Sequence, residues 1–157
     1  MLLTIIYYYN NNNSTITMTA LDISKAFDKV SYYKLFLKLW DRKIRKCLIN
    51  VLINWYSKCW VRVRWKDSYS ASFKTTVGVR QGGVLSPYLF AIYIEDIIKQ
   101  LTYFKLGCQK GTSYVGCLLY ADDIMLLSQS MTCMQKMLDL CCLIVKDLDL
   151  KFNVKNL

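Results

Sequence analysis

Two stretches of this chain carry acids where short apolar runs come to an end. In Leu118-Leu119-Tyr120-Ala121-Asp122-Asp123-Ile124-Met125-Leu126-Leu127 an adjacent acid pair divides two strongly apolar runs, the pattern of two strands joined by a tight turn. A hundred residues earlier, Thr19-Ala20-Leu21-Asp22-Ile23 alternates as a short strand would and carries a third acid near its end. Taken alone, Asp122-Asp123 reads most simply as a turn, because Asp bonds its own backbone there. Held together against apolar strands, however, three carboxylates repel one another unless a cation neutralises them. If the two strands are neighbours in one sheet, Asp22, Asp122 and Asp123 meet at its end. Hard oxygen ligands of this kind suit Mg²⁺, which takes a few carboxylates together with substrate phosphates and water. Two such ions about 3.5–4 Å apart can activate a hydroxyl and stabilise the leaving oxygens of a phosphoryl transfer.

Composition narrows the alternatives. The 157 residues include no His, so catalysis must rest on carboxylates, metals or Lys. Seven Cys, with no CxxC pair, argue against a zinc site or a Cys–His nucleophile. They sit mostly in apolar runs such as Leu140-Cys141-Cys142-Leu143, which fits reduced, buried thiols in an intracellular protein, nuclear or cytoplasmic. Twenty-one Lys and Arg against eleven acids give a formal charge of +10 and point to a polyanionic partner, nucleic acid before membrane. A merely solvated basic face is the plain alternative. The start, MLLTIIYYYN, has no basic leader, and its apolar run is too short for a signal peptide or a membrane span.

The elements that must position the acids can be read in order. Residues 1–18 contain Tyr7-Tyr8-Tyr9 and Asn10 to Asn13, a low-complexity tract that reads as a replaced or degraded terminus, outside a single domain over 19–157. Ser31 caps a helix that buries Leu35, Leu39 and Ile44, and a second helical piece covers 50–57. Trp60-Val61-Arg62-Val63-Arg64-Trp65 alternates apolar with basic and forms a hairpin with 71–77; Arg62 and Arg64 then share a face, toward phosphate or toward solvent. Gly78, Gly82 and Gly83 permit close backbone approach, which sets Arg80 and Gln81 beside bare backbone and favours ligand contact. Ser86-Pro87 opens a helix that buries Leu89, Phe90, Tyr93 and Ile97. A loop or short hairpin spans 106–114. Ser130 caps a last helix with Met134, Met137, Leu138, Cys141 and Val145 inward, a core stripe rather than a cofactor site. A strand-like tail with Lys151 and Lys155 follows. The expected fold is α+β: an antiparallel sheet bearing Asp22 and the Asp122 hairpin, backed on one face by the helices after Ser31, Ser86 and Ser130, its other face open to a duplex.

The motifs LDISKAFDKV, GVRQGGVLSPYLFAIYIEDI and LLYADDIMLLS resemble the central palm motifs of reverse transcriptases, in the same order, and LKFNVKN resembles the next one. The wording Ser-Lys-Ala-Phe-Asp, Arg-Gln-Gly-Gly and Tyr-Ala-Asp-Asp is most similar to non-LTR (LINE-type, jockey-like) retrotransposons. The resemblance covers roughly Thr19 to the end. It implies a polymerase palm that adds dNTP to a primer 3′-OH on an RNA template, binds an RNA–DNA hybrid and uses two Mg²⁺ ions, with Mn²⁺ as a substitute. Asp22 and Asp122 would be the principal metal ligands and Asp123 the third carboxylate. Ile23 would lend a carbonyl to the metal. The N–H groups of Lys25 and Ala26 would touch the triphosphate. Phe27 would be the gate against a ribose 2′-OH, or else an ordinary core aromatic. Gln81 and Gly82 would line the nucleotide with Arg80 close by, and Tyr120 would lie near the primer end. Lys155 is similar to the late palm Lys that protonates pyrophosphate; the alternative is a solvated tail charge. The family's fingers and thumb find no room in the chain, which leaves a palm or most of one. Two other readings follow: an inert copy serving as a basic nucleic-acid-binding module, and an RNA-copying polymerase.

Overall fold

The computed structural model describes residues 2–153. Two compact units build the chain: one comprises residues 1–26 and 94–157, the other residues 27–93.

The first unit is organised around a three-stranded antiparallel sheet. Strands β1 (Thr17–Asp22), β8 (Cys117–Tyr120) and β9 (Asp123–Ser128) stand in the order β1-β9-β8. β9 is central, and its run Ile124, Leu126, Leu127, Ser128 is buried. Side chains alternate between the faces of such a sheet. Ile124 and Leu126 therefore share one face with their partners Leu119 and Cys117. Helix α6 (Met131–Asp147) packs on β9, and α5 (Asp96–Tyr103) packs on α6. The expected capping bond is present: Ser130 Oγ accepts from the Cys133 N–H at 3.2 Å. Met134, Met137, Cys141 and Val145 are buried as expected, with Leu138 half-buried. A short hairpin, β6 (Gln109–Lys110) with β7 (Ser113–Tyr114), lies within the expected 106–114 segment.

The tyrosine- and asparagine-rich start is folded. Helix α1 (Leu2–Asn11) buries Ile5 and Tyr9, one helical turn apart, in a cluster with Cys108 and Leu127, flanked by Leu118 and Met125. The Tyr9 hydroxyl is also tied to the Gln109 backbone, donating to its carbonyl and accepting from its N–H. The asparagine tract closes the helix: Asn12, Asn13 and Ser14 donate backbone N–H groups to the carbonyls of Tyr9 and Asn10. Asn13 takes φ 52°, a left-handed conformation that Asn tolerates after a helix. A repetitive tract thus supplies one buried stripe and one helix end, which composition alone does not reveal.

The second unit contains α2 (Tyr32–Asp41) packed on α3 (Lys46–Ser57). Rings of Tyr32 and Phe36 lie 4.8 Å and 6.2 Å from the Tyr56 ring. Leu35 and Leu39 are buried, but Ile44 is exposed because α2 ends at Asp41, three residues too early to carry it. Ser31 precedes α2 without a side-chain capping bond. The predicted hairpin forms in two pieces, β2 (Trp60–Val61) with β5 (Phe73–Lys74) and β3 (Arg64–Trp65) with β4 (Ser68–Tyr69). Arg62 falls in the break between them, so the uninterrupted strand expected to align it with Arg64 is absent. Helix α4 (Ser86–Ile94) begins at Ser86 itself and buries Leu89, Phe90 and Tyr93. It stops before Ile97, which is buried from α5 instead. Among the described residues no helix is long and apolar enough to cross a membrane.

Candidate active site

The register of the three-stranded sheet brings the acids together. β1 and β9 pair antiparallel from Thr17↔Ser128 to Asp22↔Asp123, so the last two residues of the ladder are both Asp. Directly opposed residues project to the same face. Tyr120, paired with Asp123 from β8, shares that face. Asp122 occupies the hairpin turn, and its carbonyl accepts from the Ile23 N–H at 3.4 Å. The other turn residue, Ala121, takes φ 51°, a left-handed backbone unusual for a residue with a Cβ and a conformation often found at functional sites.

The register partner of Asp22 is Asp123, and Asp122, which the resemblance pairs with Asp22 as a principal ligand, stands next to it in the turn. Asp122 is half-buried, Asp123 exposed and Asp22 half-buried. Among the described residues no three Asp, Glu, Cys or His side chains are drawn close enough to hold a metal ion as they stand. Consecutive side chains diverge and like charges repel, which keeps Asp122 and Asp123 apart. Their chemistry, carboxylate oxygens at one sheet end, fits a hard divalent ion.

A neighbour the sequence reading passed over is Asn153. Its amide Nδ2 donates to Asp22 Oδ2 at 3.1 Å, and its backbone N–H donates to the Asp22 carbonyl at 2.8 Å. With the isolated antiparallel bridge Ile23↔Phe152 and the Ser24 N–H donating to the Lys151 carbonyl at 2.8 Å, the tail lies along Ile23. Its signal in the sequence is the Asn of LKFNVKN, two residues before Lys155. Lys155 itself lies outside the described residues. Ile23 is buried, while Lys25, at φ 51°, is exposed in the following turn and Ala26 is buried.

The remaining candidates lie in the second unit. Phe27 opens a short 3₁₀ turn (Phe27–Lys29), half-buried, its ring 4.9 Å from that of Phe90. The segment 77–79 is laced to this turn: the Val79 N–H donates to the Phe27 carbonyl at 2.7 Å and the Gly78 N–H to the Val30 carbonyl at 2.9 Å. Gly78 is required there, since at φ +88° a Cβ would stand 2.8 Å from the Asp28 carbonyl oxygen. Lacing sets Gln81 beside Asp28, and Gln81 Nε2 donates to Asp28 Oδ1 at 3.2 Å. Asp28, too, was missed, although the wording Ala-Phe-Asp contains it. Arg80, Gln81 and Gly82 are exposed, and Arg80 and Gln81 edge a cavity of about 460 Å³ walled by Tyr32, Tyr56 and Thr75. Burial pushes the Tyr32 and Tyr56 hydroxyls above their usual pKa, so both stay neutral.

The chain matches the family described as reverse transcriptase (RNA-dependent DNA polymerase) over residues 3–155, a span that includes both carboxylate motifs and most of α1. It belongs to that family. Among curated proteins, this reverse transcriptase is 30% identical over 113 residues to the Retrovirus-related Pol polyprotein from type-1 retrotransposable element R2 of Nasonia vitripennis, covering 70% of the chain and 11% of the relative. It is also 30% identical over 113 residues to the Probable RNA-directed DNA polymerase from transposon BS of Drosophila melanogaster, covering 72% of the chain and 12% of the relative. It spans about a tenth of the length of these relatives. In fold it resembles apo telomerase of Candida tropicalis, with a TM-score of 0.67 at 18% identity, over 88% of this chain and 30% of the other. The α+β palm architecture is thereby shown, and the family works with divalent metal ions.

Proposed function

We propose that the chain is the catalytic palm of an RNA-directed DNA polymerase, which joins a dNTP to a primer 3′-OH on an RNA template. The observation that supports it most is the opposition of Asp22 to Asp123 beside the turn residue Asp122. In this reading Asp22, Asp122 and Asp123, with the Ile23 carbonyl, hold two Mg²⁺ ions. Bound there, the ions supply activation of the primer hydroxyl and stabilisation of the leaving pyrophosphate. Asn153 orients the Asp22 carboxylate through its amide hydrogen bond. The backbone N–H groups of Lys25 and Ala26 hold the triphosphate. Phe27, its ring backed by Phe90, excludes a ribose 2′-OH, and Asp28 fixes the carboxamide of Gln81 toward the nucleotide with Arg80 and Gly82. Tyr120 supports the primer end, and Lys155 returns a proton to pyrophosphate. The reading carries with it an RNA template, a DNA primer and a nuclear or cytoplasmic location.

Two measurements test it. Mn²⁺ binding to the chain, followed by electron paramagnetic resonance, should be lost in Asp22→Asn and Asp122→Asn. Primer extension on RNA, with fingers and thumb from an R2-type relative joined to the chain, should fall by at least two orders of magnitude in Asp122→Asn, as expected when a metal ligand worth several kcal/mol is lost. Unchanged extension would end the reading. Phe27→Val should admit ribonucleotides; if the unaltered chain already takes them, it copies RNA into RNA instead.

A further inference from the structure

The cavity of about 460 Å³ that Arg80 and Gln81 edge has an interior to which the polymerase reading gives no role. All of its lining residues belong to the second unit. Its walls are aromatic and aliphatic: the Tyr32 and Tyr56 rings, 4.8 Å apart, with Val61, Val77 and Val79. A cavity of this size, with apolar walls and a few fixed polar groups, is the ordinary form of a small-molecule site. Two of its polar groups lack partners. Tyr56 is only 4% exposed, and its hydroxyl makes no hydrogen bond among the described residues, whereas the Tyr32 hydroxyl donates to the Val77 carbonyl at 3.2 Å. An enclosed phenol hydroxyl normally has a partner, so an unpaired one on a cavity wall marks where a ligand atom fits. Arg80 is exposed at the mouth and forms no ion pair among the described residues. Asp28, the one acid among the lining residues, already accepts from Gln81 at 3.2 Å, which leaves Arg80 as the uncompensated charge. Burial raises the Tyr32 and Tyr56 hydroxyls and the Arg80 charge opposes it at both, so the guanidinium is within electrostatic reach of each.

We propose that this cavity binds a planar aromatic carboxylate carrying a second acceptor atom. Its rings pack on Tyr32 and Tyr56, the acceptor takes the Tyr56 hydroxyl proton in a hydrogen bond, and the carboxylate pairs with Arg80. The planar guanidinium fork matches a carboxylate, and tyrosine rings favour offset or edge contact with another aromatic ring. Residues 77–81 form one wall, so an occupant braces the segment whose lacing sets Gln81. The cavity shares its mouth with the nucleotide contacts proposed above, while Tyr32, Tyr56 and the valine walls take no part in them. None of the sheet carboxylates takes part either, so this site stands or falls apart from the metal site.

The test is nuclear magnetic resonance of the full chain titrated with 6-hydroxy-2-naphthoate. Saturable binding is expected, with nuclear Overhauser contacts from the naphthalene protons to the Tyr32 and Tyr56 rings. Tyr56→Phe should weaken binding roughly two- to tenfold, and Arg80→Gln roughly tenfold. 2-Naphthoate, which lacks the hydroxyl, should bind the parent more weakly and be indifferent to Tyr56→Phe. 6-Hydroxy-2-naphthamide, which lacks the charge, should also bind more weakly and be indifferent to Arg80→Gln. These two compounds probe the same contacts on the unaltered chain, so the result is decided even where a variant fails to fold. Asp22→Asn should bind the naphthoate as the parent does, so failure of the metal reading and failure of this one are read separately. The proposal is overturned if the contacts run to the exposed Trp60 or Trp65 ring instead, or if the three compounds bind the parent alike. It is equally overturned if dTTP displaces the naphthoate, which would return the cavity to the nucleotide site.

Discussion

Asp22 and Asp123 face each other at the last register pair of the β1–β9 ladder. Opposed Cβ atoms in such a pair are about 4.5–5.5 Å apart, a separation at which like charges destabilise the sheet. On the proposed function, that cost is the one a bound divalent ion would offset.

Removing one of the two charges should therefore stabilise the metal-free chain and remove its response to metal. We expect Asp123→Asn to gain about 0.5 kcal/mol without Mg²⁺, a rise in Tm of roughly 1–2 °C. The parent should gain stability on adding Mg²⁺, and the variant should gain little. Thermal unfolding with and without Mg²⁺ decides it; a variant that melts lower than the parent in EDTA would contradict the account.

Gly78 and Gly82 both have positive φ, yet they should not respond alike to substitution. Gly78→Ala places a Cβ against the Asp28 carbonyl, whereas Gly82→Ala meets nothing within 4 Å. The first should cost about 1–3 kcal/mol and loosen the lacing that sets Gln81, and the second only the backbone strain of about 1 kcal/mol. Urea unfolding midpoints of the two variants provide the comparison.

The two serines predicted as helix caps differ in the same way. Ser130→Ala removes a capping bond to the Cys133 N–H and should cost about 1 kcal/mol. Ser31 makes no such bond, so Ser31→Ala should stay within roughly 0.5 kcal/mol of the parent. Equal losses in chemical denaturation would show that the α2 cap forms in solution.

Burial pushes the Cys117 and Cys141 thiols up to about 12 from an ordinary 9.0. The folded state favours the neutral thiol, so this contribution is complete below pH 9 and is lost as pH rises from 9 toward 12. At about pH 10.5 the loss should approach roughly 2 kcal/mol per thiol. Urea unfolding across this range should steepen accordingly, and Cys117→Val should flatten the dependence. The same burial should leave these thiols slow toward iodoacetamide, with the exposed Cys47 and Cys142 reacting first.

Much of the site was legible because its residues lie at strand ends and turns, where sequence pattern is strongest. The Asp122 hairpin, the Ser130 cap and the buried stripe of α6 are local features, governed by alternation and helical spacing. The misses share a cause in the other direction. Ile44 fell outside α2 because helix ends depend on capping and packing that periodicity does not report. α1 was overlooked because its tract looks unpatterned, while only Ile5 and Tyr9 need a partner. Asp28 and Asn153 were read past because their importance lies in hydrogen bonds to Gln81 and Asp22, distant in sequence.

By itself, then, the amino-acid order marked out the candidate residues: three acids, a ring after the first, a glycine-rich turn and a basic surplus. Only the tertiary structure decided how they are matched. It placed Asp22 opposite Asp123 with Asp122 in the adjoining turn, brought Asn153 onto Asp22, and broke the aromatic hairpin into two short ladders. The physical reason is register. A strand can slide against its neighbour until burial of one face fixes it, and here the burial of Ile124 and Leu126 in the central strand sets which acids end up opposed.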